Sequence, residues 1–188
     1  MKIATILGSP RKNGNTAGVL SRFEEFVGLS HEVDRINIIS YKVNGCLGCG
    51  KCREARDEPG CVQKDDAPSI FKRMMGADAV VYAAPLYCWD FPAQMKALID
   101  RHFCLVKGYG TPDYKSFLGG KRVALLVTCD GPIEDNADVI QIVFDRVSDY
   151  GKCRTVGKYI VPSCTAPGAV DSKGAEVARR MAADIAGR

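Results

Sequence analysis

The 188-residue sequence is poor in the side chains that usually carry proton chemistry: it holds two histidines and a single tryptophan. His31 opens an extended run and His102 falls on a helical stripe, so both read as structural. No serine triad, paired-carboxylate site or metallohydrolase motif is present. Charge of one sign is scarce too. Twenty-six Lys and Arg face 22 Asp and Glu, a net of +4, interspersed along the chain. That balance excludes the basic run of a nucleic-acid binder. No apolar stretch is long enough to span a membrane, and no basic start leads into an apolar segment. Both absences point to a cytoplasmic protein without membrane contact. Repeats, low-complexity stretches and linkers are missing as well. One domain over residues 1–188 is the expectation, with 46% apolar residues to build its core.

What is present is a regular alternation of strand and helix signals. Residues 2–7 form an apolar run that stops at Gly8, as a strand buried on both faces does. Residues 15–27 place Val19, Leu20, Phe23, Phe26 and Val27 on one helical stripe. A strand is predicted at 32–39, then a polar loop from about 43 to 64. Asp65 or Asp66 can cap a helix carrying Ile70, Phe71, Met74 and Met75. Further strands are predicted at 78–84, 122–128 and 156–161. Helices are predicted after Pro92 (Met95, Leu98, Ile99 and His102 inward), at 137–150 (Val139, Ile140, Val143 and Val147 inward) and at 175–186. Residues 107–120 read as a surface excursion. Five strands alternating with five helices give a flavodoxin-like three-layer sandwich, with a parallel sheet of order 2-1-3-4-5.

In such a sheet, ligands bind beyond the carboxyl ends of the strands near the switch point. The loop after the first strand, Gly8 to Thr16, has two glycines, hydroxyl residues and a helix start. It reads as an anion site in which Ser9 and Thr16 donate to phosphate oxygens and Asn13 and Asn15 add side-chain donors. A plain capping loop is the alternative. Spacing excludes a Walker loop, because five residues separate Gly8 from Gly14 and Asn15 stands where lysine belongs. A Gly-x-Gly-x-x-Gly fingerprint is absent here.

Gly-Ser-Pro-Arg-Lys-Asn-Gly-Asn-Thr (8–16) resembles the FMN-phosphate loop of the NADPH-dependent FMN reductase and flavodoxin-like superfamily. Residues 85–101, beginning Pro85-Leu86-Tyr87-Cys88-Trp89, resemble that family's second flavin loop and the helix after it. The resemblance spans nearly the whole chain. It implies bound FMN, NAD(P)H as a transient electron donor, and a small-molecule or protein acceptor. Tyr87, Trp89 and Phe91 then form a wall for the flavin ring, with ordinary aromatic packing as the alternative. Thr128 and Asp130 approach the ring from a third loop, which departs from the glycine-rich version of the quinone-reducing relatives. Arg11 contacts phosphate or is simply exposed. Catalysis would need no protein acid or base, since the flavin carries the chemistry. The apolar loop from Cys88 to Phe91 suggests a subunit interface, and relatives are commonly homodimers or homotetramers.

Nine cysteines are present, and Cys46, Cys49, Cys52 and Cys61 fall within sixteen residues. Three thiols at two-residue gaps, with a fourth after the Pro59-Gly60 turn, suit a four-iron iron–sulfur cluster. The pattern resembles the iron–sulfur flavoprotein branch, although the last gap of eight residues is longer than that branch leads one to expect. A zinc site and a set of reduced thiols remain open. Two readings compete with an oxidoreductase: a non-enzymatic flavin or iron–sulfur electron carrier, and a thiol redox switch. Carriers of the flavodoxin type are usually acidic, and the slightly basic balance favours a reductase.

Overall fold

The computed structural model describes residues 1–164, 166 and 171–187. Among these residues seven strands and five α-helices follow in the order β1 (Lys2–Leu7), α1 (Asn15–Gly28), β2 (Glu32–Asn37), α2 (Ala67–Met75), β3 (Ala79–Pro85), α3 (Ala93–Asp100), β4 (Val106–Lys107), β5 (Lys115–Ser116), β6 (Arg122–Thr128), α4 (Asp138–Tyr150), β7 (Arg154–Val161) and α5 (Asp171–Ala186). The main sheet is β2-β1-β3-β6-β7 and all its pairings are parallel. This is the 2-1-3-4-5 order predicted from the sequence, counted without the two-residue strands β4 and β5. Those two pair antiparallel inside the stretch read as a surface excursion, which also buries Lys107 and Leu118.

The two-residue period of the strands divides the core into two layers. Ile6 on β1, Tyr82 on β3 and Leu125 on β6 face α2, α3 and α4. Leu7, Val81 and Leu126 face α1 and α5. Short apolar runs without polar alternation are therefore what a sheet covered on both sides demands. Two helix faces differ from the predicted stripes. Phe26 lies partly exposed beneath the Arg179 guanidinium, and Val139 and Ile142 point outward while Phe144 takes the buried position on α4. The last helix begins at Asp171, earlier than its apolar pattern announces. Among the described residues no helix is long and apolar enough to cross a membrane.

His102 follows α3 and is buried between the rings of Phe71 and Tyr82, at centroid distances of 6.0 and 5.8 Å. Burial lowers its pKa to about 4, with Asp100 working weakly against the shift. The unfolded imidazole takes up a proton below about pH 6.5, the folded one only near pH 4. The stabilisation is thus complete above the unfolded pKa and is lost as the pH falls through this window, by about 3 kcal/mol in total. Urea midpoints measured between pH 7 and pH 4.5 should fall accordingly, and a His102→Leu variant should flatten that part of the curve.

Candidate functional site

Three loops converge at the carboxyl edge of the sheet. The first is positioned by Gly8, whose N–H donates to Ala83 O at 2.7 Å. A Cβ built on Gly8 would stand 2.8 Å from Met95 Cβ, so α3 can pack on this loop only because residue 8 is glycine. Ser9 is buried, and its hydroxyl accepts the Arg11 N–H at 3.1 Å, holding the turn that follows. Gly14 is the N-cap of α1, with no side-chain cap, so neither Ser9 nor Asn15 caps this helix. First-turn amides of a helix have no intrahelical acceptor, and the first turn of α1 carries no acidic residue. Arg11 and Asn13 are exposed at the rim.

Thr16, in the first turn of α1, shares a buried hydrogen bond of 2.6 Å with Thr128 at the end of β6. Asn15 turns its amide toward the loop after β7, donating to Cys164 O at 3.2 Å and Ala166 O at 2.9 Å. The first loop is thereby fastened to two other strand ends, a role its sequence does not announce. Leu86 N–H donates to Thr128 O at 2.9 Å, which joins the second loop to the third. Pro85 and Leu86 are partly buried, and Asp130 is exposed on the third loop.

Residues Tyr87 to Asp90 close a tight turn with reciprocal backbone bonds of 3.0 Å. Both central residues, Cys88 (φ 47°) and Trp89 (φ 63°), are left-handed, a conformation that normally calls for Asn or Gly. Such backbone costs about 1–3 kcal/mol and concentrates at functional sites. The turn carries its rings outward, with Trp89 58% exposed and Tyr87 43%. Phe91 does not join them: it is buried against the core.

The second constellation is the segment after β2. Asp65, expected as a helix cap, pairs with Arg101, and both side chains are almost wholly buried (0% and 1% exposed). Arg101 Nη1 donates to Asp65 Oδ2 at 2.7 Å and to Asn44 O at 3.1 Å, while Asp65 accepts the Asn44 N–H at 2.9 Å. This closed set of bonds anchors both ends of the cysteine loop. Asp66 holds the loop from the other side by accepting the Lys42 N–H at 2.7 Å.

Cys46, Cys49, Cys52 and Cys61 all border one small cavity, together with Arg101 and Phe103. Cys104 borders it too, a fifth thiol that its isolation in the sequence concealed. Burial raises the Cys52 thiol above its usual range, Lys107 pulls against the rise, and Cys61, Cys46 and Cys49 add to it. Cys104 is pushed up to about 12, chiefly by burial. Among the described residues, no three or more His, Cys, Asp or Glu side chains are grouped so as to hold a metal ion. The donor chemistry fits a four-iron cluster; Cys46 and Cys49 are exposed, Cys52 is buried and Cys61 is partly buried. In the absence of metal, iodoacetamide should label Cys46, Cys49 and Cys88 first and Cys104 last. Time-resolved peptide mass spectrometry reads that order.

With this geometry in hand, residues 1–144 match the model of the NADPH-dependent FMN reductase family. The chain belongs to that family. Within it, 125 residues are 41% identical to an iron-sulfur flavoprotein of Archaeoglobus fulgidus, covering 65% of this chain and 54% of that one. An iron-sulfur flavoprotein of Methanosarcina thermophila is 40% identical over 106 residues, 56% of this chain and 54% of its own. The matches thus span about half the length of these relatives. Among solved structures, an NAD(P)H:quinone oxidoreductase from Methanothermobacter marburgensis superposes with TM-score 0.75 at 18% identity, covering 100% of this chain and 99% of that one. An FMN-dependent NADH-azoreductase from Bacillus anthracis, solved with FMN, gives 0.71 at 14% identity over 99% and 100%. These two likenesses concern the fold.

Proposed function

We propose that this family member is an FMN-dependent oxidoreductase that takes electrons from NAD(P)H and passes them to a small-molecule or protein acceptor. The observation that carries the reading is the meeting of loops 8–16, 85–91 and 128–132 at one sheet edge, tied by the Thr16–Thr128 and Leu86–Thr128 bonds. The residues fit the cofactor. A helix start without an acidic residue suits a phosphate, and Ser9, Arg11, Asn13 and Thr16 would supply polar groups around it, while Asn15, its side-chain amide spent on the carbonyls of Cys164 and Ala166, would offer its backbone N–H. Pro85, Leu86, Tyr87, Cys88 and Trp89 would border one side of the ring, and Thr128 and Asp130 another. Bound FMN would supply a ring able to accept a hydride and release electrons singly or in pairs. The chain's own task is to hold the phosphate, orient the ring and offer Trp89 and Tyr87 as surfaces that shield it from water. Among the described residues the two histidines, His31 and His102, lie away from this edge.

The same proposal extends to the cysteine loop. Cys46, Cys49, Cys52 and Cys61 would hold a four-iron cluster once Cys46 and Cys49 draw in toward Cys52. Their shared cavity and the names of the two archaeal relatives support this. Protein purified without oxygen should show a flavin spectrum with one FMN per chain and should oxidise NADH or NADPH with a quinone, ferric complex or free flavin as acceptor. FMN binding without any such turnover would overturn the enzyme reading in favour of a carrier. Anoxic protein without iron and acid-labile sulfide would overturn the cluster.

A further inference from the structure

One roomy cavity lies away from the three loops. Helix α4 leaves the carboxyl edge and runs back along the sheet, so Tyr150 at its end marks the amino side. There a cavity of about 670 Å³ opens between segment 53–56 and the 106–115 hairpin. Its size is that of a small-molecule site.

The cavity has an aromatic wall of definite construction. Tyr109 sits between Gly108 (φ 63°) and Gly110 (φ 78°), and a Cβ on Gly108 would stand 2.6 Å from Asp113 O. The hairpin tip is therefore fixed in a shape that only glycine permits at position 108. Tyr109 is 68% exposed, yet its ring is set 5.3 Å from those of Tyr114 and Tyr150. Lys152 locks the same stack, with Nζ 4.0 Å from the Tyr114 ring centre and donating to Tyr114 O at 2.5 Å. Phe103 lines the same cavity, covered by the Arg53 guanidinium at 5.0 Å. Phe103 is also a wall of the thiol-lined cavity, so the two cavities are neighbours.

Charge around this cavity is one-sided. Arg53, Arg56, Lys107 and Lys115 line it against the single carboxylate of Asp113. Lys115 has a distant partner, Asp57 at 3.7 Å. Lys107 is 8% exposed, and its ammonium donates to the carbonyls of Cys52 at 2.6 Å and Pro59 at 3.1 Å and lies 5.9 Å from the Phe117 ring centre. Among the described residues Arg53, Arg56 and Lys107 form no ion pair. A buried ammonium without a carboxylate partner leaves net positive potential in the space it lines.

We propose that this cavity is a second ligand site, distinct from the flavin edge, which takes a flat aromatic or heteroaromatic molecule bearing a carboxylate, sulfonate or phosphate. The ring lies between Tyr109 and Phe103, where stacking with Arg53 adds a cation–π contribution. The anionic group faces Arg56 and Lys107.

The test uses FMN-loaded protein, so that the first loop is filled, and titrates 2-naphthalenesulfonate by calorimetry against the neutral 2-naphthalenemethanol. The sulfonate is expected to bind at least about tenfold more tightly than the alcohol, a difference of about 1.4 kcal/mol. An Arg53→Glu/Arg56→Glu variant, altered only at exposed positions, should lose at least about tenfold in sulfonate affinity. Tyr109→Ala should weaken both ligands. Absence of binding, equal affinity for the two ligands, or affinities that neither variant changes would each overturn the proposal. Circular dichroism and FMN content, expected unchanged in both variants, separate loss of this site from loss of fold.

Discussion

Replacing Asp65 with alanine is expected to lower the unfolding free energy by about 3–5 kcal/mol, the usual penalty for stranding one partner of a buried ion pair. Arg101 and Asp65 are 1% and 0% exposed, and the guanidinium meets both carboxylate oxygens, at 2.7 and 3.2 Å. Removing the carboxylate leaves a buried cation and takes the acceptor away from the Asn44 and Ala67 N–H groups. A double Asp65→Leu/Arg101→Met variant should recover most of the loss, because apolar replacement of a whole buried pair is often nearly neutral. Urea unfolding of the wild type and the two variants measures both effects. The pair also has a pH signature. Burial alone would raise the Asp65 carboxyl, but Arg101 and the two amides outweigh it and hold the group below its ordinary range. Its stabilisation is therefore present above the unfolded pKa of about 3.9 and is lost as the pH falls through the lower folded value. That window lies below the one set by His102.

Gly8→Val is expected to abolish retention of FMN, weakening it at least about a hundredfold, and to destabilise the fold by about 1–3 kcal/mol through overpacking. The physical reason is the position of Met95. Its Cβ would be 2.8 Å from the new side chain, and Cβ cannot swing away as Cε can. Helix α3 has to shift, and the loop from Pro85 to Phe91 shifts with it. Adding Met95→Ala removes Cγ and Cε but leaves Cβ, so it should rescue only part of the loss. Gly18→Ala is the control: that glycine has open space around it on α1, and the change should stabilise by about 0.5–1 kcal/mol with FMN binding intact. Flavin fluorescence titration and thermal melting give both quantities. Unchanged FMN affinity in Gly8→Val would exclude loop 8–16 as the phosphate site.

The sheet was legible because its strands are short apolar runs with turn residues at their ends, and this count of parallel strands admits few orders. The position of loop 8–16 followed from the same logic. Other features depend on partners far apart in the chain, which local patterns do not register. Asp65 finds Arg101 thirty-six positions on, Thr16 finds Thr128, and Asn15 finds the carbonyls beyond β7. The turn at Tyr87–Asp90 was hidden for another reason: its left-handed residues are Cys and Trp, and sequence reading expects Gly or Asn at such positions. The β4–β5 hairpin escaped because two-residue strands leave no period to detect. Cys104 escaped because a lone cysteine reads like any small, partly buried apolar residue.

The Cys88–Trp89 turn implies an antagonism between durability and work. A laboratory selection for heat resistance alone would favour Cys88→Asn and Trp89→Gly, changes that suit that backbone and expose less ring surface. The same pair of changes would strip the large ring from the sheet edge where the three loops meet. On the proposed role of Trp89 beside the flavin, hardier descendants of this protein would be expected to emerge idle, and an engineer seeking both properties should leave residues 87–90 alone and strengthen the chain elsewhere.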